Sequence, residues 1–298
     1  MSVASFVDGA EDIYSRSTRR KTLTVVAVVA AVAVLAVVSI RLGALPLGVR
    51  EIVSAVIFKV LPFLDTGSLT IFEEVAVIDI RLPRIIMAIV CGIGFAAAGA
   101  AMQGVLRNPL VSPMTLGLTQ AAGFGAALAI ILHFGLIGGR YLITANSFLF
   151  CLACLLFIYG ITRIRGVAPE TIILSGIALG FLFSAMLSFV QYLASPEDVR
   201  AVVFWMMGGI YIASWPILVF ITPVILISTV VLLRYSWDLN IMSAGEEVAR
   251  SLGVNTRRVT LVSLMLSALI TAVIISLSLI HISEPTRPLY ISYAVFCL

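Results

Sequence analysis

Apolar residues occur along this chain in long blocks that short polar segments separate. A polar start ends in Arg19, Arg20 and Lys21, and residues 22–40 then carry no charge. Further charge-free blocks cover residues 85–106, 108–139, 141–162, 171–196, 201–233 and 259–280. About 20 consecutive apolar residues suffice for a helix to cross the hydrocarbon core of a bilayer. The pattern therefore predicts an all-α, polytopic transmembrane bundle with seven spans.

The helix predicted over residues 81–106 is rich in glycine and alanine. Pro83 suits its first turn, and Pro109 lies just beyond its end, where proline disfavours further helix. Gly94 and Ala98 are four residues apart, which is the spacing of small residues where transmembrane helices pack closely. We expect the following residues to serve helix packing or to line a pathway: Gly94, Ala98, Gln103, Gly104, Asn108 and Pro109.

The block 201–233 is too long for one helix. Glycines and Pro216 interrupt it, so we predict a short helix that ends near the glycines and a span that starts at Pro216. Aromatic residues cluster at the break. They fit either an aromatic belt at the membrane interface or a gate at the outer mouth of a pathway. The gate candidates are Trp205, Gly208 and Gly209.

Composition supports the membrane assignment. Of 298 residues, 61% are hydrophobic and 11% are charged, with a mean hydropathy of +1.15, whereas about 25% of the residues of a soluble domain carry charge. The net charge of +4 requires no nucleic-acid partner, because cytoplasmic loops of membrane proteins collect arginine and lysine.

Basic residues also set the orientation. The basic flank before residue 22 places the N-terminus in the cytoplasm, and the first block is too long for a signal peptide. Threading the chain from there puts 11 arginines and lysines inside and 7 outside, with Arg287 unassigned. We expect a cytoplasmic tail over residues 1–21, a short helix on the outer surface over residues 51–64, and a location in the cytoplasmic (inner) membrane.

The predicted spans contain few side chains that could take part in catalysis or ion transport. No Asp, Glu, Lys or Arg lies within the seven blocks, although ion-coupled transporters usually need intramembrane ionisable groups. The two lysines, Lys21 and Lys59, are not preceded by glycine, so the chain has no phosphate-binding loop of the Gly-Lys-Ser/Thr type. We expect no catalytic residue, no metal site and no cofactor, and energy must come from a partner.

Cys151 and Cys154 form a Cys-x-x-Cys pair within an apolar block. On a helix, these positions share one face, and buried cysteine behaves as a small hydrophobic residue. A metal or redox site would need polar groups around it. The sequence therefore favours a packing role for the pair over a metal or redox site.

A polar segment over residues 238–258 has the signals of a short helix. Ser243 and Glu246 have the spacing of a capping box, and Gly253 fits the left-handed position after a helix. We predict a helix of about nine residues with Ala244, Val248 and Leu252 on one face. So short a helix is marginal alone, so it is expected to dock a cytoplasmic partner. The alternative is a surface helix with a solvated charged face.

Several segments together match one family, in the family's order. They are RLPR at 81–84, MQGVLRNPL at 102–110, SGIAL at 175–179, FSAML at 183–187, WMMGG at 205–209 and GEEVARSLGV at 245–254. With these segments the chain resembles permease subunits of the FecCD/BtuC family, the membrane parts of ABC importers for ferric siderophores, haem and cobalamin. The resemblance covers residues 22–278, which are identified as the permease domain.

The resemblance implies partners and roles. It implies ten-helix subunits, about seven of whose helices are present here, in a homodimer or a pair with a paralogous permease. It further implies two ATP-binding subunits on the cytoplasmic side, an extracytoplasmic substrate-binding protein that docks on the outer side, and a metal chelate as cargo. By resemblance, Arg81 and Arg84 receive acidic side chains of the binding protein. The residues that match the family's coupling helix, which contacts the ATPase, are Glu246, Glu247, Ala249, Arg250 and Gly253.

Two departures from the family stand out. The loop VSPMTLGLTQAAG after Leu110 lacks the acidic residue and the serine-rich turn that are common there. After Ser278 the family's glycine-rich continuation is replaced by two prolines and three ionisable groups within residues 281–288, which cannot continue a lipid-facing helix. We expect residues 279–298 to be a non-native tail.

Two other functions are alternatives to that of a permease subunit. They are a secondary transporter and a non-transporting membrane scaffold or receptor.

Overall fold

A computed structural model describes residues 3–43, 48, 71–135, 138–165 and 168–277. Within these residues the chain is helical, which confirms the predicted all-α class. The α-helices are α1 (Val3–Arg41), α2 (Ile71–Val75), α3 (Leu82–Leu106), α4 (Leu118–Ile131), α5 (Leu142–Arg165), α6 (Pro169–Leu193), α7 (Pro196–Met207), α8 (Trp215–Arg234), α9 (Ser236–Ser243), α10 (Glu246–Ser251) and α11 (Thr256–Leu277). A π-helical turn covers Ala76–Arg81, and 3-10 turns cover Pro113–Leu116, Gly139–Tyr141 and Ile210–Ile212.

The chain divides into two compact units, Met1–Ile85 and Ile86–Leu298. In the first unit, α1 is one continuous helix of 39 residues with a polar first half and an apolar second half. Arg81 Nη1 donates a hydrogen bond to Ile40 O, 2.7 Å away. Ile40 O is one of the last four carbonyls of α1, which have no partner inside the helix. The arginine therefore caps the end of α1.

Six helical segments in the described residues are long and apolar enough to span a membrane. They are Arg19–Arg41, Phe72–Leu106, Leu142–Ile164, Glu170–Leu193, Trp215–Arg234 and Thr256–Leu277. These six agree with six of the seven predicted blocks, and the division of block 201–233 into α7 and α8 is confirmed.

The block 108–139, predicted as one span, does not form one continuous helix. That block contains α4, which has 14 residues and is about 21 Å long, against a hydrocarbon core of about 30 Å. Pro109 and Pro113 keep the first part of the block out of an α-helix because proline lacks the N–H group that a helix requires. The predicted outer helix over residues 51–64 and the predicted tail over residues 279–298 lie outside the described residues.

Pro83 lies in the first turn of α3, as predicted, but other helical turns precede it. Among the described residues, helical structure runs from Ile71 through the π-helical turn into α3, so Pro83 follows several helical turns. Inside an α-helix, the proline ring clashes with the carbonyl four residues earlier. The wider π turn lies directly before the proline and marks the place where the regular hydrogen-bond ladder is interrupted.

In the second unit, α11 is the most deeply buried long helix, and it packs against α5, α8 and α4. Ser263, Ser267 and Thr271 lie four residues apart along one face of α11 and are fully buried. Ser267 Oγ donates to Ala98 O of α3 at 3.2 Å. Helix contacts in membranes commonly combine small residues with such hydroxyls.

Gly94 of α3 lies close to two other helices. A Cβ atom at Gly94 would be 2.8 Å from Ile225 Cγ2 of α8 and 2.9 Å from Ile270 Cγ2 of α11. Gly104 is less crowded, because a Cβ there would meet Leu239 Cβ at 3.6 Å. The packing roles expected of Gly94, Ala98 and Gly104 remain predictions.

We predict that Gly94→Val destabilises the second unit, whereas Gly99→Val in the same helix does not. A side chain at Gly94 would overlap two isoleucines, while a Cβ at Gly99 has no neighbour within 4 Å. Overpacking costs about 1–3 kcal/mol. The measurement is the thermal unfolding midpoint of each purified variant in detergent, and equal midpoints for both variants would contradict the packing.

Candidate functional site

The segment between α3 and α4 lies against a glycine face of α6. Gly117 has φ = +73°, and a Cβ there would be 2.7 Å from Gly176 O. A Cβ at Gly176 would in turn be 2.8 Å from Leu116 Cα. Backbone touches backbone at this contact, so only glycine fits at either position.

Two thiols hold the same segment from the side of α5. Cys151 Sγ donates to Leu118 O at 3.2 Å, and Cys154 Sγ donates to Leu116 O at 3.6 Å. Both cysteines are buried, in agreement with the packing role predicted for them. The 3-10 turn and the first turn of α4 are therefore held between the cysteine face of α5 and the glycine face of α6.

Sequence reasoning missed the glycine face of α6. Gly176 and Gly180 are four residues apart in SGIALGF, the same small-residue spacing that drew attention to α3. The signal was present, but nothing in the sequence shows that the partner of this face is a non-helical loop.

The turn after α3 brings three predicted residues together. Gln103 Nε2 donates to Pro109 O at 3.0 Å, and Asn108 Oδ1 accepts a hydrogen bond from Leu110 N at 2.9 Å. These bonds compensate for helical hydrogen bonds that the proline interrupts. Gln103, Asn108 and Pro109 thus form the turn, whereas Gly94, Ala98 and Gly104 lie along α3.

A cavity of about 380 Å³ lies between this segment and α6. Its polar lining residues include Asn108, Thr115, Gln120 and Ser184, and its apolar ones include Ile177 and Phe181. Among the described residues that line the cavity, none is charged. The cavity can therefore form neutral hydrogen bonds and apolar contacts without an ion pair.

The predicted cytoplasmic helix is shorter than expected, and its capping box is wrong. Ser243 ends α9, and its Oγ donates to Asn240 O at 2.6 Å instead of capping the next helix. Gly245, with φ = +136°, separates α9 from the six-residue α10. Ser243 and Glu246 therefore belong to different helices.

The predicted left-handed residue at the end of α10 is confirmed. Gly253 has φ = +83°, its N–H donates to Arg250 O at 3.0 Å, and Val254 N–H donates to Ala249 O at 3.0 Å. This pair of bonds is a Schellman motif, which satisfies the last carbonyls of a helix.

The predicted coupling residues divide into two groups. Arg250 Nη2 and Thr256 Oγ1 both donate to Glu246 Oε1, at 2.6 and 3.2 Å, and Ala249 is fully buried. These residues, with Gly253, hold α10 in place. Glu247 is exposed, and so is the predicted apolar face, with exposed fractions of 46% for Val248 and 65% for Leu252.

The candidate gate lies at the end of α7. Gly208, with φ = +68°, donates its N–H to Trp205 O at 3.0 Å and ends the helix. Gly209 is in extended backbone that any residue adopts. Trp205 is half-buried and packs against the core, so the structure places all three candidates in one turn.

The two predicted docking arginines differ in their surroundings. Arg81 is half-buried, it caps α1, and its guanidinium lies so close to Gly43 that a Cβ there would be 2.5 Å from Nη2. Arg84 is exposed.

Comparison with known proteins links these features to one family. The model of the FecCD transport family matches residues 19–278. The chain is 34% identical over 69% of its length to the molybdate import system permease protein MolB of Haemophilus influenzae, covering 60% of that protein. It is 32% identical over 82% of its length to the Fe(3+)-citrate import system permease protein YfmE of Bacillus subtilis, covering 69% of it.

A solved structure shares the fold. It is described as an inward-facing conformation of a metal-chelate type ABC transporter, and it superposes with a TM-score of 0.70 at 29% identity, covering 84% of this chain and 73% of that one. The chain spans only part of the length of the curated relatives that it matches. For three of these relatives the share is 58%, 60% and 54%.

We predict that Gly176→Ala exposes the buried thiols, whereas Gly160→Ala does not. A methyl group at Gly176 would displace the 3-10 turn from α6 and break the bonds from Cys151 and Cys154, while a Cβ at Gly160 has no neighbour within 4 Å. Alkylation of the two cysteines by N-ethylmaleimide, followed by mass spectrometry without denaturant, should be faster only in Gly176→Ala. Unchanged protection in that variant would contradict the contact.

Proposed function

Because the chain belongs to the FecCD transport family, we propose that it is the transmembrane permease subunit of an ABC importer and carries a metal chelate inward across the cytoplasmic membrane. The observation that carries this proposal is α10. A helix of six residues is unstable alone, yet a Schellman motif, the bond from Thr256 Oγ1 to Glu246 Oε1 and the buried Ala249 hold it in place. Val248 and Leu252 nevertheless stay exposed. Exposed apolar side chains on a fixed surface element support a docking role.

The orientation of the helices supports a cytoplasmic position for α10. The N-terminal turns of α5 and α8 and the C-terminal turn of α11 line one apolar cavity of about 480 Å³, so these three ends lie at the same face. Arginines stand at the opposite ends, namely Arg163, Arg234 and Arg257. Under the positive-inside rule that opposite face is cytoplasmic, and α10 directly precedes α11. Separately, we propose that the N-terminus is inside, because Arg19, Arg20 and Lys21 flank the apolar part of α1.

The proposed cargo is an iron siderophore or a related chelate such as haem or cobalamin. The ferric citrate relative and the metal-chelate transporter structure support this choice, although the molybdate relative shows that the family's cargo varies. The uncharged cavity beside α6 also supports it, because a chelate encloses its metal in an organic shell, and burying a bare ion among neutral groups is costly.

The proposed assembly contains a second permease subunit, either identical or paralogous, two ATP-binding subunits and an extracytoplasmic substrate-binding protein. ATP binding and hydrolysis in the partners would shift the permease pair between outward-open and inward-open states. Glu247, Val248 and Leu252 would contact the ATPase, while the other coupling residues hold α10. The turn at Trp205, Gly208 and Gly209 would serve as an outer gate.

Uptake into proteoliposomes tests the function. The complete complex should accumulate a radiolabelled ferric chelate only when ATP is present on the ATPase side, and an ATPase subunit with an inactive nucleotide site is the matched control. Uptake that follows an imposed membrane potential or proton gradient without ATP would instead establish a secondary transporter. A permease that isolates without any ATPase and transports nothing would establish a scaffold.

We predict that Leu252→Asp weakens association with the ATPase by about tenfold or more, because an unpaired carboxylate would be buried at the interface. Ser251→Asp adds the same charge one residue earlier, on a side chain whose Oγ bonds Val248 O within the helix, and it should have a smaller effect. Affinity is measured between the permease in nanodiscs and the purified ATPase. Equal losses in the two variants would contradict the apolar docking face.

Mutagenesis should also distinguish the roles of Arg81 and Arg84. Arg84→Glu is expected to weaken binding of the substrate-binding protein by about 2 kcal/mol, as for a disrupted interfacial charge pair. Arg81→Glu removes the cap on Ile40 O and should lower the thermal midpoint by the equivalent of about 1 kcal/mol. Binding and melting curves of both variants check this. Full binding by Arg84→Glu would rule out its docking role.

A further inference from the structure

A third cavity, of about 350 Å³, lies between α9 and the turn that joins α10 to α11. Its volume is within the usual range of ligand pockets. Polar, charged and aromatic side chains from both elements line it, and they include Tyr235, Trp237, Asp238, Asn255 and Arg258.

The cavity lies at the level where two spans leave the membrane. The span of α8 ends at Arg234 and that of α11 begins at Thr256, so Tyr235 directly follows one span and Arg258 stands in the first turn of the other. Lipid headgroups occupy roughly 5–7 Å on each side of the hydrocarbon core. Tryptophan and tyrosine are enriched in this layer, as Trp237 and Tyr235 are here. The cavity is therefore at the depth of the lipid headgroups.

Two opposite charges line the cavity without neutralising each other. Asp238 is half-buried and Arg258 is exposed, so both side chains can be reached from outside the protein. Neither forms an ion pair with any residue that the structure describes, in contrast to Arg250 and Glu246. A carboxylate can accept hydrogen bonds from an ammonium group, and a guanidinium binds phosphate well. The cavity thus suits a ligand that carries both groups.

An exposed apolar stripe on α8 leads to the same cavity. Leu226, Val230 and Leu233 follow one another at intervals of four and three residues, which is the spacing of one helix face, and all three are exposed. Trp237 lies four residues further along the chain and is also exposed. A hydrocarbon chain that lies along this stripe would bring a polar headgroup to the cavity.

We infer that this cavity binds a membrane phospholipid whose headgroup carries both a phosphate and an ammonium group, as phosphatidylethanolamine does. The phosphate contacts Arg258, the ammonium contacts Asp238, and an acyl chain follows the stripe on α8. This inference goes beyond the proposed function, because it involves neither cargo nor ATP. The competing occupant is a segment of the ATPase that reaches past Leu252, and the experiment separates the two.

Two other charged residues provide matched controls. Arg257 is the neighbour of Arg258 in the first turn of α11, and Glu170 is in the first turn of α6, as Asp238 is in that of α9. Both are exposed, and neither lines the cavity. Asp238→Asn and Glu170→Gln each remove one acidic group from the start of a helix, so a loss of helix stabilisation affects both variants alike.

The first measurement is lipid binding to the purified full chain in detergent, by native mass spectrometry with phosphatidylethanolamine or phosphatidylglycerol. The unaltered chain should prefer phosphatidylethanolamine, because only its headgroup offers an ammonium to Asp238. Asp238→Asn should weaken binding of this lipid about fivefold, as for a partly exposed ion pair, and leave phosphatidylglycerol binding unchanged. Arg258→Gln should weaken both lipids by a similar factor, and Arg257→Gln and Glu170→Gln should weaken neither. Equal binding of the two lipids, or equal losses in the control variants, would overturn the inference.

The second measurement locates the bound lipid. With Trp205→Phe and Trp215→Phe, Trp237 is the remaining tryptophan of the chain. In phosphatidylcholine bilayers, a small fraction of phosphatidylethanolamine with brominated acyl chains should quench its fluorescence more than the same fraction of brominated phosphatidylglycerol. Adding Asp238→Asn should abolish the difference. Equal quenching by the two lipids before that change would overturn the inference.

A third measurement tests the competing occupant. In nanodiscs without phosphatidylethanolamine, Asp238→Asn and Arg258→Gln should bind the purified ATPase as tightly as the unaltered permease does. Weaker ATPase binding in both variants, together with unchanged lipid selectivity, would assign the cavity to the ATPase and overturn the inference. The two lipid measurements require no transport, so they remain decisive even if the complex imports no chelate.

Discussion

The close contact between Gly117 and Gly176 is the constraint on which the central part of the structure depends. Eleven residues between α3 and α4 are largely non-helical, and their backbone groups must be satisfied away from water. The two glycines let this segment lie directly on the backbone of α6, and the thiols of α5 bond two of its carbonyls. A side chain at either glycine would separate the elements and leave those groups without partners.

This contact also sets the position of the cavity. Because the segment is fixed between α5 and α6, α4 begins late and presents its first turn, with Gln120, toward α6. A continuous helix over residues 108–131 would bring its own side chains into this space. The shortness of α4 and the presence of an uncharged pocket therefore have the same physical cause, namely the interruption of helix by Pro109, Pro113 and Gly117.

The short helix α10 shows how few residues are needed to fix an exposed surface element. Six residues cannot hold a helix by their own hydrogen bonds, so the chain adds a glycine at each end, an ion pair from Arg250 to Glu246 and a buried Ala249. The apolar side chains that would usually anchor such a helix are exposed instead. Rigidity and exposure together suit the docking role proposed for this element.

The sequence by itself determined the class of this protein, because long charge-free blocks have no stable alternative to membrane-spanning helices. It also determined the break between α7 and α8 and the left-handed turn at Gly253, since glycine and proline act through local backbone geometry. It did not determine the length of α4, the capping of α10 or the start of the helix before Pro83. Each of these depends on which groups meet from distant parts of the chain.

The candidate site, too, could be predicted from the sequence only in part. The small residues of α3 and the polar segment at residues 238–258 were visible as patterns, but their contacts were not. Only the tertiary structure decided that Arg81 caps α1 while Arg84 is exposed, that Arg250 pairs with Glu246, and that Gln120 faces a cavity. Identical residue types acquire different roles there, because burial and hydrogen-bond partners are properties of the packed helices and not of the local sequence.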